Sequence, residues 1–333
     1  MRRLTPLNNK VFVVLGGTGF VGKSIIRYLN SQIETGKIPG LTIIVVSRNG
    51  CQNSLDKQVF QRPWIEMIKC DVSSARKIYL ACNPNYVVHA ATPSHGTEAT
   101  PNRERYDQIV NSTKNFLDLI GRNTVASALF ISSGGIYKGI TKKGYKESDP
   151  IYSHDYQLEN PYGCGKAKAE LLCRAIADAR DIKIARCFSF VGRDIPLDKH
   201  FAIGNFMNSC IQRKPIKISG NGLSLRSYMY QDEMAQWLLE ILLYGRSGES
   251  YNVGSNEKIS ILELANTVNK VCSELYGVGS LIIAPNTRDR STSYYYPNIQ
   301  KSKDELELIP QHNLEDALRK TMVDLIQQLT YSP

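Results

Sequence analysis

The stretch KVFVVLGGTGFVG, from Lys10 to Gly22, constrains the fold of this chain more than any other. Val11 through Leu15 is a short apolar run rich in β-branched residues, the pattern of a strand buried on both faces. Glycines follow at 16, 19 and 22, and then Ile25, Ile26 and Leu29 recur at helical spacing. Strand, glycine turn and helix N-terminus in that order make a cradle for a pyrophosphate. Gly16 permits the tight turn, Gly19 lets the anion approach the backbone, and Gly22 lets the helix pack against the strand. The free N–H groups and the positive end of the helix then face the ligand. Thr18, Phe20 and Val21 lie within the same turn and are candidate contacts to that ligand.

A second buried run, residues 41–46, leads into Ser47-Arg48-Asn49. A dinucleotide fold that prefers NAD places a carboxylate here, on the adenosine ribose. A carboxylate would repel a 2′-phosphate, whereas a guanidinium pairs with one. Ser47, Arg48 and Asn49 therefore predict NADP(H), with NAD(H) as the alternative. Residues 65–72 read as a third strand reaching Asp71, and residues 86–91 as a fourth, ending in the small Ala90 and Ala91. His89 reads as a structural residue at that strand's end, since no second metal-type residue is spaced to help it. A helix over 106–120 and a fifth strand over 128–133 continue the alternation. The pattern predicts an α/β, Rossmann-type doubly wound parallel sheet with its site at the carboxyl ends of the strands.

Tyr162 and Lys166 open a further amphipathic helix, and a spacing of four puts them on one face, one turn apart. A free phenol titrates near pH ~10 and is a poor acid–base group at neutrality. A neighbouring ammonium and an oxidised nicotinamide would favour the phenolate; lowering the pKa by about 3 units takes roughly 4 kcal/mol. Ser133, at the end of the fifth strand, is placed to hydrogen-bond a substrate oxygen.

These residues carry a family resemblance. GGTGFVG, SSGGIY and PYGCGK look like the extended short-chain dehydrogenase/reductases, the sugar-nucleotide epimerases, dehydratases and reductases. Arg186 to Gly192 (RCFSFVG) resembles the family's R-x-F-N-x-x-G, with Ser189 in place of the Asn. Arg226 to Asp232 and Tyr251 to Gly254 fit two later family stretches. The resemblance implies Ser133, Tyr162 and Lys166 as the catalytic set, with Tyr162 the acid–base and Lys166 on the nicotinamide ribose. It implies Asp71 and Val72 at adenine, and Thr92, Asn205, Arg226 and Arg290 (with Arg288 nearby) on a nucleoside-diphosphate sugar. It also implies a homodimer in which the helix from Cys164 to Ile176 takes part. Residues 1–187 would form the dinucleotide domain, with 225–255 returning to it, and 188–333 mainly a smaller substrate-binding lobe.

Family dehydratases carry Asp-Glu just after the catalytic hydroxyl, and decarboxylases a nearby Glu. This chain has Gly134-Gly135, so elimination lacks its acid and base. The reading that follows is NADPH-dependent reduction of a nucleoside-diphosphate 4-keto-6-deoxyhexose. An NAD-dependent C4 epimerase is the alternative, and a non-catalytic dinucleotide binder a third.

Composition narrows the setting. A formal charge of +10 over 333 residues, with the basic residues scattered apart from Lys142, Lys143 and Lys146, suits a small polyanion better than nucleic acid. The opening MRRLTPLNNK lacks the apolar region of a signal peptide, and no apolar run approaches the ~20 residues that span a bilayer. The eight cysteines contain no CxxC pair and read as reduced, mostly buried thiols, with no metal site. Together these features predict a cytoplasmic protein without a membrane or nucleic-acid partner.

Overall fold

A computed structural model of the chain describes residues 4–51, 54–74, 77–92, 102–139, 141–197, 201–277, 279–284 and 291–330. The strands of the first half are β1 (Val11–Leu15), β2 (Thr42–Ser47), β3 (Ile65–Lys69), β4 (Tyr86–His89) and β5 (Ser127–Ser133). Those of the second half are β6 (Ile182–Cys187), β7 (Phe190–Val191), β8 (Ile216–Lys217), β9 (Leu225–Arg226), β10 (Met229–Tyr230), β11 (Ser250–Val253), β12 (Ile259–Ser260), β13 (Ile282–Ile283) and β14 (Tyr294–Tyr295). The helices begin with α1 (Phe20–Glu34), α2 (Ser54–Phe60), α3 (Asn102–Arg122), α4 (Pro161–Arg174) and α5 (Ala202–Ile211). They end with α6 (Gln231–Tyr244), α7 (Ile261–Tyr276), α8 (Gln300–Leu306) and α9 (Leu314–Thr330).

Seven strands form one parallel sheet in the order β11-β6-β5-β4-β1-β2-β3. The order reverses between β1 and β4, where Leu15 lies opposite His89 on one side and Val46 on the other. That reversal opens a crevice at the carboxyl ends of the strands, the place where such sheets bind ligands. α1 and α6 cover one face over Phe12, Val14, Ile26 and Leu238, and α3 and α4 cover the other over Val13, Leu15, Phe116 and Ala169. A smaller body has its own core of Ile203, Phe206, Leu264, Val268, Leu318 and Met322 from α5, α7 and α9. α7 starts on a capping box in which Ser260 and Glu263 satisfy each other's backbone N–H groups.

The structure sharpens several boundaries. β3 stops at Lys69, so Asp71 and Val72 lie in the turn beyond it, and β4 stops at His89, leaving Ala90 to Thr92 irregular. β6 has no counterpart in the sequence reading. Lys183 and Arg186 interrupt its apolar pattern, yet both are buried. β11 joins the main sheet beside β6, and α6 packs on that sheet. Five of the cysteines (164, 173, 187, 210, 272) are buried, whereas Cys51 and Cys82 are exposed. Trp237 is a core residue.

Candidate active site

The glycine turn is tight in the way its sequence demands. Gly16 adopts φ +80°, and a Cβ there would meet Ala91 Cα at 2.5 Å. The first turn thus lies directly on the Ala90–Ala91 backbone. A Cβ at Gly22 would strike Gly16 O and Gly17 Cα, each at 2.6 Å, so the helix can approach the strand only because this residue has none. Gly19 differs: a Cβ there would meet only Gly16 O, at 3.4 Å, and the residue is exposed. Gly19 is also the N-cap of α1, where no side chain caps the helix. An open, backbone-lined cradle at an uncapped helix N-terminus fits a dinucleotide pyrophosphate.

At the end of β2 the buried Ser47 hydroxyl shares a 2.6 Å hydrogen bond with Thr18 Oγ1, fastening this strand end to the glycine turn. Arg48 and Asn49 follow it into solvent. Phe20 stacks on Phe190 at 6.3 Å, and Val21 beside it is half-buried. Asp71 is exposed and accepts from Ser73 N and Ser73 Oγ at 2.9 and 2.7 Å; Val72 is buried.

Across the crevice, β5 ends at Ser133, whose Oγ accepts the Gly135 N–H at 3.0 Å. α4 begins with Asn160 as its cap, accepting from Gly163 N at 2.8 Å, and with Pro161 in the first turn. This start places Tyr162 in the first turn of α4, where the Ser133 hydroxyl favours its phenolate. A Cβ at Gly135 would meet Tyr162 Cε1 at 3.3 Å and Ser133 Oγ at 3.4 Å, and one at Gly134 would enter the Phe188 ring at 2.6–2.8 Å. The space that a side chain at position 134 would fill therefore holds an aromatic ring.

Lys166 is buried, and its ammonium donates to Thr92 Oγ1 at 2.6 Å and Ile131 O at 2.7 Å. Burial lowers it to about 8, against the opposing pull of Cys187 and Glu170. Burial also pushes Tyr162 up to about 12, only partly offset by the neighbouring Ser133 hydroxyl. The lowered phenol read from the Tyr–Lys spacing draws also on an oxidised nicotinamide; in the chain by itself burial decides the direction, with the Lys166 ammonium 6.0 Å from the Tyr162 ring centroid and donating to Thr92 and Ile131. Thr92, read from the sequence as a substrate contact, accepts from Lys166 and keeps its own hydroxyl proton to donate.

Asn205 is exposed in the first turn of α5. Arg226 donates to Leu225 O at 2.8 Å and Ser293 Oγ at 3.1 Å. Arg288 and Arg290 lie outside the described residues. His89 sits edge-on to Phe116 and Phe130 at 5.2 and 5.4 Å, inside the core. Three residues given no site role from the sequence are coupled to this pair: Arg105 in α3 and Cys187 in β6 act electrostatically on Tyr162, and the Tyr295 phenol in β14 responds to Ser133 and Tyr162. The Tyr294-Tyr295-Tyr296 run was the visible signal for the last of these. Among the described residues no group of three metal-type side chains converges, and no helix is long and apolar enough to cross a membrane.

The model of the NAD dependent epimerase/dehydratase family matches residues 12–254. A probable dTDP-glucose 4,6-dehydratase of Sinorhizobium fredii is 26% identical over 93% of this chain and 91% of its own length. UDP-glucuronic acid decarboxylase 1 of Arabidopsis thaliana is 27% identical over 94% of this chain and 69% of its own. Among solved structures, the epimerase Mth375 of Methanothermobacter thermautotrophicus superposes with a TM-score of 0.79 at 22% identity, covering 98% of this chain and 94% of that one.

Proposed function

Because this chain belongs to the NAD dependent epimerase/dehydratase family, we propose that it reduces the 4-keto group of a nucleoside-diphosphate 4-keto-6-deoxyhexose with NADPH. The observation that carries this reading is the pairing of Ser133 and Tyr162 beside Gly134 and Gly135. Such a site can protonate one oxygen, but with glycines at 134 and 135 no carboxylate directly follows Ser133 to remove a carbon-bound proton or expel water. The relatives that eliminate water or carbon dioxide, by their names, therefore do not set the reaction here.

In this reading the dihydronicotinamide supplies hydride when bound. Ser133 donates a hydrogen bond to the carbonyl oxygen, and Tyr162 gives that oxygen its proton. A phenol pushed up by burial holds its proton at neutral pH, as a general acid must before the reaction. Lys166, fixed by Thr92 and Ile131, places positive charge behind the site. Gly16, Gly19 and Gly22 would hold the pyrophosphate, and Arg48 the 2′-phosphate. Asp71 and Val72 would border adenine, with Ala90 and Ala91 against the cofactor. Asn205, Arg226 and Arg290 would take the sugar nucleotide.

The test compares NADPH with NADH, in binding and then in oxidation by a panel of 4-keto-6-deoxy sugar nucleotides. NADPH is expected to be preferred and consumed only with substrate. Arg48→Ala should weaken NADPH roughly 10- to 100-fold, the worth of a charge-assisted hydrogen bond, and leave NADH nearly unchanged. Tyr162→Phe should abolish turnover with cofactor binding retained. A second reading, NAD-dependent C4 epimerisation, draws on the same glycine pair, since an epimerase also needs no such carboxylate. Tightly co-purifying NAD, with sugar interconversion and no net oxidation, would establish it and refute the reductase.

A further inference from the structure

The Lys166 ammonium ties together three segments of the crevice. Its side chain starts from α4, donates to Ile131 O on β5 at 2.7 Å, and donates to Thr92 Oγ1 beyond the end of β4 at 2.6 Å. These are its hydrogen bonds among the described residues, and the Phe130 ring lies 4.8 Å from the nitrogen. An ammonium has three donors, so one N–H is left for a ligand. The charge is buried, and a buried charge is costly unless hydrogen bonds support it. The titratable groups around it are Tyr162, Glu170 and Cys173 on its own helix, Cys187 on β6 and His89 on β4. The two oxygens that bond it are both neutral.

Thr92 is also held on its other side. Its backbone N–H donates to Ala90 O at 3.1 Å, and Ala90 N donates to Leu15 O at 2.8 Å, at the end of β1. The same Ala90–Ala91 backbone is the one that leaves Gly16 no room for a Cβ. A short path therefore runs from the glycine cradle to the acid–base helix through Gly16, Ala91, Thr92 and Lys166. Its last step is one side-chain hydrogen bond. Ile131 contributes a backbone carbonyl to the clamp, so the Thr92 hydroxyl is the part of it that a side chain supplies.

We propose that Thr92 is a positioning residue of the cofactor site: by holding the Lys166 ammonium against the Ala90–Thr92 turn, on which the glycine cradle rests, it keeps the third N–H of Lys166 charged and in register with a dinucleotide lying in that cradle. In this role Thr92 serves the cofactor, where the sequence suggested the sugar. It moves no proton and acts through Lys166. The proposal rests on the reading that Lys166 contacts the bound nicotinamide ribose, and it holds for reduction and epimerisation alike.

The experiment is a fluorescence titration of the full chain with NADPH, and in parallel with NADH, across neutral and mildly basic pH; it needs no sugar substrate. Burial lowers Lys166 to about 8, and losing its proton removes a charge-assisted bond to the cofactor. Wild-type affinity should therefore hold up to about pH 8 and decline above it. Thr92→Val keeps the shape of the side chain but removes the oxygen that supports the buried ammonium. It should weaken binding roughly 10-fold at the wild-type plateau's upper edge and start the decline about one pH unit lower. Thr92→Ala carries the same expectation with a smaller side chain, so a misfit of the valine cannot mimic the effect. Thr92→Ser restores the oxygen and should overlay the wild type. In a Lys166→Met background the decline should be absent, and Thr92→Val should cause no further loss, since the two residues act as one. A Thr92→Val profile that overlays the wild type overturns the role of Thr92 alone. So does a Thr92→Ser profile that follows Thr92→Val, or an equal loss in the Lys166→Met background. A Lys166→Met protein with wild-type affinity and an unchanged decline overturns the reading of Lys166 on the cofactor, and the Thr92 role with it.

Discussion

His89 illustrates how one buried side chain couples the core to pH. Its imidazole is wedged between Phe116 and Phe130, and burial, reinforced by the Lys166 ammonium, lowers it from 6.5 to about 3. Between those values the unfolded chain binds a proton that the folded chain refuses. Stability therefore rises with pH through this window and is lost as pH falls below 6.5. The slope is about 1.4 kcal/mol per pH unit. Urea melts at pH 6.5 and 5.0 should show a loss of about 2 kcal/mol from this source in the wild type. His89→Leu should remove that part of the loss, and equal pH dependence in the two proteins would refute the assignment. At this scale the sequence was most readable where a constraint is local. Gly19 and Gly22 answer to neighbours within a few residues and Gly16 to its own positive φ, so their spacing told the story, although the Ala90–Ala91 backbone that presses on Gly16 comes from far along the chain. Tyr295 and Arg105 reach Tyr162 and Ser133 from distant segments, and no local pattern marks such a meeting.

Elements here are joined by buried charge as well as by apolar packing. Arg186 of β6 holds Glu170 of α4 through two bonds of 2.9 and 2.7 Å, with both residues buried, and Ser132 of β5 donates to the same carboxylate at 2.6 Å. Burial opposes the charge on Glu170, but the Arg186 guanidinium outweighs it and keeps the carboxyl below its usual range. Removing one partner strands the other in a dry interior. Glu170→Ala should cost about 3–5 kcal/mol in a chemical melt, while Glu170→Leu with Arg186→Met should recover most of it. A single substitution costing under about 1 kcal/mol would contradict this picture. The same pair explains why β6 is hard to see in sequence. IKIARC sets its two cations three apart, on opposite faces, so it matches neither the unbroken apolar run of a buried strand nor the alternation of a surface one, and only the partners on β5 and α4 reveal that both cations are held inside. β1, β2, β4 and β5 were legible because parallel central strands are apolar on both faces.

At the scale of the molecule, the sheet and the smaller body are bound by contacts near the glycine turn. Arg27 of α1 grips Asp194 at 2.9 and 3.1 Å, Gln231 of α6 reaches the same carboxylate at 2.7 Å, and Phe20 stacks on Phe190. The chain carries a formal charge of +10, which would favour encounter with the anionic sugar nucleotide proposed as its substrate. Raising the ionic strength from about 0.01 to 0.15 M shortens the screening length from about 30 to 8 Å. kcat/KM should then fall roughly 3- to 10-fold with kcat unchanged, and a flat profile would show that charge does not guide the substrate. The ring of Phe188 against Gly134 sets the order in which this site could be rebuilt by design. A side chain added at position 134 would have to displace the ring, and the ring is held by Tyr137, Tyr145 and Tyr295. Any redesign that installs an acid there must therefore change Phe188 first and the glycine second.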